Sequence, residues 1–256
     1  MTSIQTSNTP DTATTNQELR RQLAAAYRLS GLFGWTDMVF NHISVRLPGR
    51  QGQPDTYLIN PEGYLSEEIT PACLLEVDVQ GNVIDQPDQS FIPAGFVIHS
   101  AIHTRRPNAG CIMHNHSMAG MVVSALKEKL LPLTQISMEF HNRVAYHDFG
   151  GIELDMDVSD KIVQDLGELN CMIMRNHGLL TVGQSVPEAF YYMHYLHQSC
   201  EIHINTMKIT DDPLMPSEKV LEHTARQYEP FHEKDVRMVW NAMLRKLNRE
   251  MPGWDS

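Results

Sequence analysis

The stretch Cys111-Ile112-Met113-His114-Asn115-His116 decides how the rest of the chain is read. Its apolar start fits a buried β-strand that ends in two histidines. Side chains alternate across a strand, so His114 and His116 point to one face, one strand period apart. Neutral imidazole is the commonest ligand for a divalent transition metal, and a same-face pair supplies two corners of a tetrahedron. A third corner is offered by His177 in Met174-Arg175-Asn176-His177-Gly178, which also closes an apolar run, Cys171 to Met174. Two strands ending in histidine at one edge of a sheet make His114, His116 and His177 a candidate metal site. The same spacing also fits satisfied core histidines, so the pattern alone leaves both readings open.

Working outward, Thr15-Asn16-Gln17-Glu18 fits a capping box, followed by Leu19, Leu23, Ala26 and Tyr27 at helical spacing. Met38 to Leu47 and Thr56 to Ile59 read as two strands of a hairpin around a polar turn. Asn60-Pro61-Glu62-Gly63 is a turn, and Leu75 to Val79 alternates apolar and charged as a half-buried strand does. A helix is expected from Ile92-Pro93-Ala94-Gly95 to Pro107, and a second from about Met118 to Lys129. Glu139 to Phe149 is polar and aromatic without a clear period, and Val158 to Leu166 is amphipathic. A long helix opens at Ser185 and Pro187, with Phe190, Met193, Leu196, Cys200 and Ile204 facing inward. His99 and His103 share a helix face and are expected to be solvated or hydrogen-bonded; His194, His203, His223 and His232 are expected at the surface.

This alternation argues α/β or α+β layering. The division expected is a disordered arm over 1–14, one domain over 15–210, and a linker with a charged helical tail over 211–256. The length of 256 residues suffices for one large core. The 20 Lys and Arg against 31 Asp and Glu give a net charge of -11, which repels phosphate backbones and anionic membranes. Neither a nucleic acid nor a membrane is an expected partner. Cys73, Cys111, Cys171 and Cys200 form no close pair, and no signal peptide or membrane-length apolar run is visible. The expected location is cytoplasmic.

These residues carry a resemblance. From roughly Leu19 to Met207 the chain is similar to the class II aldolase/adducin family. The matching pieces are Asn41-His42-Ile43-Ser44-Val45-Arg46, Ile59-Asn60-Pro61-Glu62-Gly63, Arg106-Pro107, His114-Asn115-His116, Asn176-His177-Gly178 and the helix after Ser185-Pro187. The family usually has Gly-Asn-Ile-Ser-x-Arg at the first of these. The resemblance implies a single-domain three-layer α/β sandwich, with a central sheet flanked by helices. It implies Zn²⁺, or another divalent transition metal, on His114, His116 and His177, stabilising an enediolate as a C–C bond breaks. It also implies a small-molecule substrate, gripped by loops matching Asn41, Asn60 and Gly63, and a homotetramer with sites between subunits.

One departure stands out. Relatives of L-fuculose-phosphate aldolase carry Ser-Ser-Glu at the helix entrance where this chain has Pro93-Ala94-Gly95. The acid/base carboxylate is thus replaced at Gly95, and the phosphate-gripping hydroxyls are gone. By resemblance to L-ribulose-5-phosphate 4-epimerases, Glu139 is a substitute acid/base, and Tyr146 a candidate proton donor to an enolate. The reading is a metal-dependent lyase or epimerase-like enzyme acting on a small hydroxy-carbonyl, sugar-like compound. The alternatives are a non-catalytic, adducin-like binding module that keeps the fold and metal site, and an oligomer in which the metal is purely structural. Gly34-Trp35 and Val144 to Asp148 look closer to adducin head domains than to sugar aldolases.

Overall fold

The computed structural model describes residues 15–49, 52–151 and 156–256; the expected arm over 1–14 lies outside them. Its elements are α1 (Asn16–Leu32), β1 (His42–Leu47), β2 (Thr56–Ile59), β3 (Leu75–Val77), α2 (Pro93–Arg105), β4 (Cys111–Asn115), α3 (Met118–Ser124), α4 (Gln135–Met138), β5 (Val144–His147), α5 (Met156–Leu166), β6 (Cys171–Met174), β7 (Gly178–Gly183), α6 (Val186–Met207), α7 (Glu218–Tyr228) and α8 (His232–Glu250). The strands form one seven-stranded sheet in the order β3-β2-β1-β4-β7-β6-β5, so the His114 strand lies at its centre. All neighbours are antiparallel except β5 and β6.

Strand alternation divides the apolar side chains between two layers. Cys111 and Met113 of β4 join Val45, Leu179 and Ile173 in a core shared with α1, α6 and α8. Ile112 turns the other way, with Met172, Leu180 and Val182, against Ile98 and Ile102 of α2 and Ile162 of α5. His114, two residues from Ile112, shares that second face. The chain is therefore a single-domain three-layer sandwich, as expected. The expected hairpin is present as β1 and β2, paired Val45 to Leu58. The inward stripe of α6 is fully buried at Phe190, Met193, Leu196 and Cys200.

Three local expectations are corrected. β5 falls where the sequence offers no clear period, because four residues half-exposed on one side carry little signal. The helix after Ser117 stops at Ser124 rather than near Lys129. The carbonyls of Leu126, Lys127 and Glu128 instead accept hydrogen bonds from the Arg175 guanidinium. His203 is buried, not at the surface, and accepts the Leu131 N–H at 3.2 Å. Beyond Thr210, α8 contributes Trp240 and Leu247, and the end of the chain Trp254, to the core beneath α1 and α6. Among the described residues no helix is long and apolar enough to cross a membrane.

Candidate metal centre and its cavity

β4 delivers His114 and His116, and the turn between β6 and β7 delivers His177. Asn176 makes that turn at a φ of 54°, a conformation asparagine tolerates well. Gly178 lets the turn close onto β4, since a Cβ there would lie 2.3 Å from the Asn115 carbonyl oxygen. The three imidazole centroids are 4.7 to 4.9 Å apart, and one ligand atom from each lies within 4.8 Å of the others.

The ring orientations are set from outside the cluster. His114 Nδ1–H donates to the Leu179 carbonyl at 3.0 Å, and His116 Nδ1 lies 3.2 Å from Asp37 Oδ2. Such partners fix a tautomer in which Nε2 presents its lone pair. The two Nε2 atoms then face one another at 3.0 Å, an arrangement that needs a positive charge between them. Burial drives His114 well below the usual imidazole range and His177 down to about 4, which keeps both rings neutral as ligands. Tetrahedral zinc with bonds near 2.05 Å separates its ligand nitrogens by about 3.3 Å. Three neutral imidazoles converging at this spacing fit a divalent transition metal. The Asn41 side-chain oxygen accepts the His116 N–H at 3.2 Å and steadies the strand end.

The cluster opens into a cavity of about 480 Å³ between β1, the start of α2 and the β6–β7 turn. His42 lies in it, in register opposite His114. Its imidazole fills the space above Gly95, where a Cβ would fall 2.3 Å from His42 Cδ2. Burial, with His116 and His177 nearby, lowers His42 to about 4. Behind it Ser44 Oγ is 2.7 Å from His99 Nδ1 and 2.8 Å from His103 Nε2, while His103 Nδ1–H donates to the Ala109 carbonyl at 2.9 Å. The direction of this chain follows from its anchored end. Ser44 donates to His103 Nε2 and accepts from His99 Nδ1–H. Both histidines are buried and hydrogen-bonded.

Of the further residues the sequence nominated, Asn41 lies at the histidines, whereas within one chain Glu139, Tyr146, Asn60 and Gly63 are not gathered there. Glu139 is 6% exposed and opens on a separate cavity of about 260 Å³ with Arg143, Tyr192, Tyr228 and His232. The Tyr191 hydroxyl donates to it at 3.3 Å, and burial pushes its carboxyl up to about 7. Tyr146 accepts the Leu130 N–H at 2.9 Å and lies under the Arg175 guanidinium, 4.5 Å from the ring centre. Asn60 is tied into the core, its Oδ1 2.6 Å from the Tyr27 hydroxyl, and Gly63 sits in a left-handed turn with φ 82°. Conversely, Asp37 and His42 line the histidine cavity without having been nominated. The signal for His42 was present, since it stands where the family usually has Asn.

The family model for the Class II Aldolase and Adducin N-terminal domain matches residues 21–204. The chain belongs to this family. An aldolase II superfamily protein from Pseudomonas syringae superposes with a TM-score of 0.89 at 40% identity, over 95% of this chain and 96% of that one. An L-fuculose 1-phosphate aldolase from Glaciozyma antarctica superposes with a TM-score of 0.82 at 26% identity, over 97% of each chain. Alpha-adducin from Rattus norvegicus is 43% identical over 198 residues, 76% of this chain; the chain spans 26% of that protein's length.

Proposed function

We propose that this protein is a divalent-metal-dependent lyase or epimerase-like enzyme acting on a small hydroxy-carbonyl compound. The observation that carries the reading is the pair of Nε2 atoms of His114 and His116 facing each other at 3.0 Å, beside His177, at the base of a cavity of substrate size. His114, His116 and His177 would hold the metal, with zinc the first candidate. A bound cation supplies Lewis acidity, polarising a carbonyl oxygen as the adjacent bond breaks. The chain's own residues orient and desolvate. Leu179 and Asp37 fix the ligand tautomers, and the apolar walls exclude water. Glu139 and Tyr146 lie outside this cavity within one chain, so a proton-transfer role for either requires delivery by a neighbouring copy. A homotetramer, as the family resemblance implies, is the assembly proposed, and the cytoplasm the location.

One observation favours a second reading, a binding module of adducin type. Among the described residues Asp37 is the only carboxylate lining the cavity, and it is engaged with His116. Elemental analysis of purified wild type beside the His114→Ala/His116→Ala variant tests the first reading. About one metal per chain, lost in the variant, supports it, and retro-aldol turnover of hydroxy-carbonyl compounds then separates enzyme from scaffold. A wild-type protein that takes up no metal even after reconstitution removes it.

A further inference from the structure

We infer that this cavity selects a hydroxy-carbonyl compound whose metal-binding end continues into an uncharged, apolar body, and that it disfavours phosphorylated sugars. The inference deepens the proposed function and rests on it for the metal. Six of the thirteen lining residues are apolar: Phe40, Ile92, Ala94, Ile98, Met121 and Phe149. Phe40 is 53% exposed and Phe149 50% exposed, two aromatic faces turned to solvent at one cavity. Isolated exposed apolar residues need no explanation, but a pair flanking one concave site marks a contact surface for an apolar ligand.

The charges point the same way. Among the described residues neither Lys nor Arg lines the cavity, and neither Ser nor Thr does. The one carboxylate there, Asp37, would repel a phosphate. Cations near these residues in sequence are committed elsewhere, Arg46 to Asp55 at 2.6 Å. Arg175, next to Asn176, donates to the carbonyls of Leu126, Lys127 and Glu128. Arg105 pairs with Asp160, and Arg106 donates to the Leu169 carbonyl at 2.6 Å. Both sit at the far end of α2, about 15 Å along the helix from Gly95. At the near end Pro93 has no N–H to offer an anion, and the His42 ring occupies the space above Gly95. Burying a phosphate without a cation or hydroxyl partner is strongly unfavourable, whereas a hydrocarbon or aromatic body gains from the same walls.

Two hydroxamates test this, because they grip a divalent metal by the same group and differ only in the arm that follows. Calorimetric titration of the full-length, zinc-loaded protein with benzohydroxamate and with phosphonoacetohydroxamate is expected to show the first binding at least tenfold more tightly. The Ile92→Arg variant, which adds a cation to the wall, is expected to narrow that ratio at least tenfold with metal content unchanged. Equal or tighter binding of phosphonoacetohydroxamate to wild type holding one zinc per chain overturns the inference and leaves the metal reading intact. Undiminished benzohydroxamate binding to the His114→Ala/His116→Ala variant also overturns it, by placing the ligand elsewhere. A wild type that holds no zinc removes both.

Discussion

The imidazole of His42 and the bare Cα of Gly95 are fitted to one another: a Cβ on residue 95 would lie 2.3 Å from His42 Cδ2 and 2.8 Å from its Nε2. A helical Gly→Ala change ordinarily stabilises by about 0.5–1 kcal/mol. Here Gly95→Ala is expected to destabilise by about 1–3 kcal/mol, because the extra methyl drives into a ring held by packing. In a His42→Ala background the same change is expected to become neutral or stabilising. Urea unfolding of the four proteins measures the cycle, and a stabilising Gly95→Ala with His42 present would sink the idea.

Asp37 touches the cluster only through His116 Nδ1, at 3.2 Å. Asp37→Asn is therefore expected to leave metal stoichiometry at one per chain while weakening affinity about 10- to 100-fold, the usual effect of losing such a partner. Competition against a chromophoric chelator reads this directly. Unchanged affinity would reduce Asp37 to a surface acid.

Two buried groups make stability depend on pH in opposite senses. His103 is held at about 3 by burial, against an ordinary value of 6.5. Between these values the unfolded chain binds the extra proton, so stability is whole above pH 6.5 and is lost as pH falls towards 3. Glu139 is raised to about 7 from 4.5, again by burial. The unfolded chain releases that proton first, so this contribution is whole below pH 4.5 and is lost as pH rises to 7. Glu139→Gln removes only the second dependence. Relative to wild type it is expected to gain about 3 kcal/mol between pH 4.5 and pH 8, by chemical denaturation. Parallel pH profiles for the two proteins would show that Glu139 ionises freely in the folded state.

The last helix joins the core through Trp240, whose ring lies 5.6 Å from that of Phe190, and through Leu247. Trp240→Ala is expected to cost about 3–5 kcal/mol, and a chain ending at residue 210 is expected to lose cooperative thermal unfolding. A truncated protein that melts at the wild-type temperature would instead make 211–256 a detachable tail.

Much of this arrangement was legible in the sequence. A period of two placed His114 and His116 on one face, and the apolar runs leading to His116 and His177 marked strands whose histidines converge at one end of the sheet, although not at its edge. Caps were equally readable, Thr15 accepting the Glu18 N–H at 3.2 Å as expected. What could not be read was the neighbourhood. Glu139 and the histidines open on separate cavities because β4 lies mid-sheet whereas β5, which follows Glu139, is an edge strand. His42 meets Gly95 across a sheet–helix contact that no spacing encodes, whereas the burial of His203, flanked by Ile202 and Ile204, did leave an apolar signal.

The placement of the three histidines also bears on when the site comes into being. His114 and His177 are roughly 60 residues apart in sequence and meet only through the pairing of β4 with β7. An emerging chain therefore offers a metal nothing better than the local His114-Asn115-His116 pair until the middle of the sheet has closed. A cation captured afterwards fastens strands already joined, so its grip is felt as slower unfolding and not as faster folding. Metal uptake during refolding would then act as a clock, reporting the moment at which the central strands have found their register.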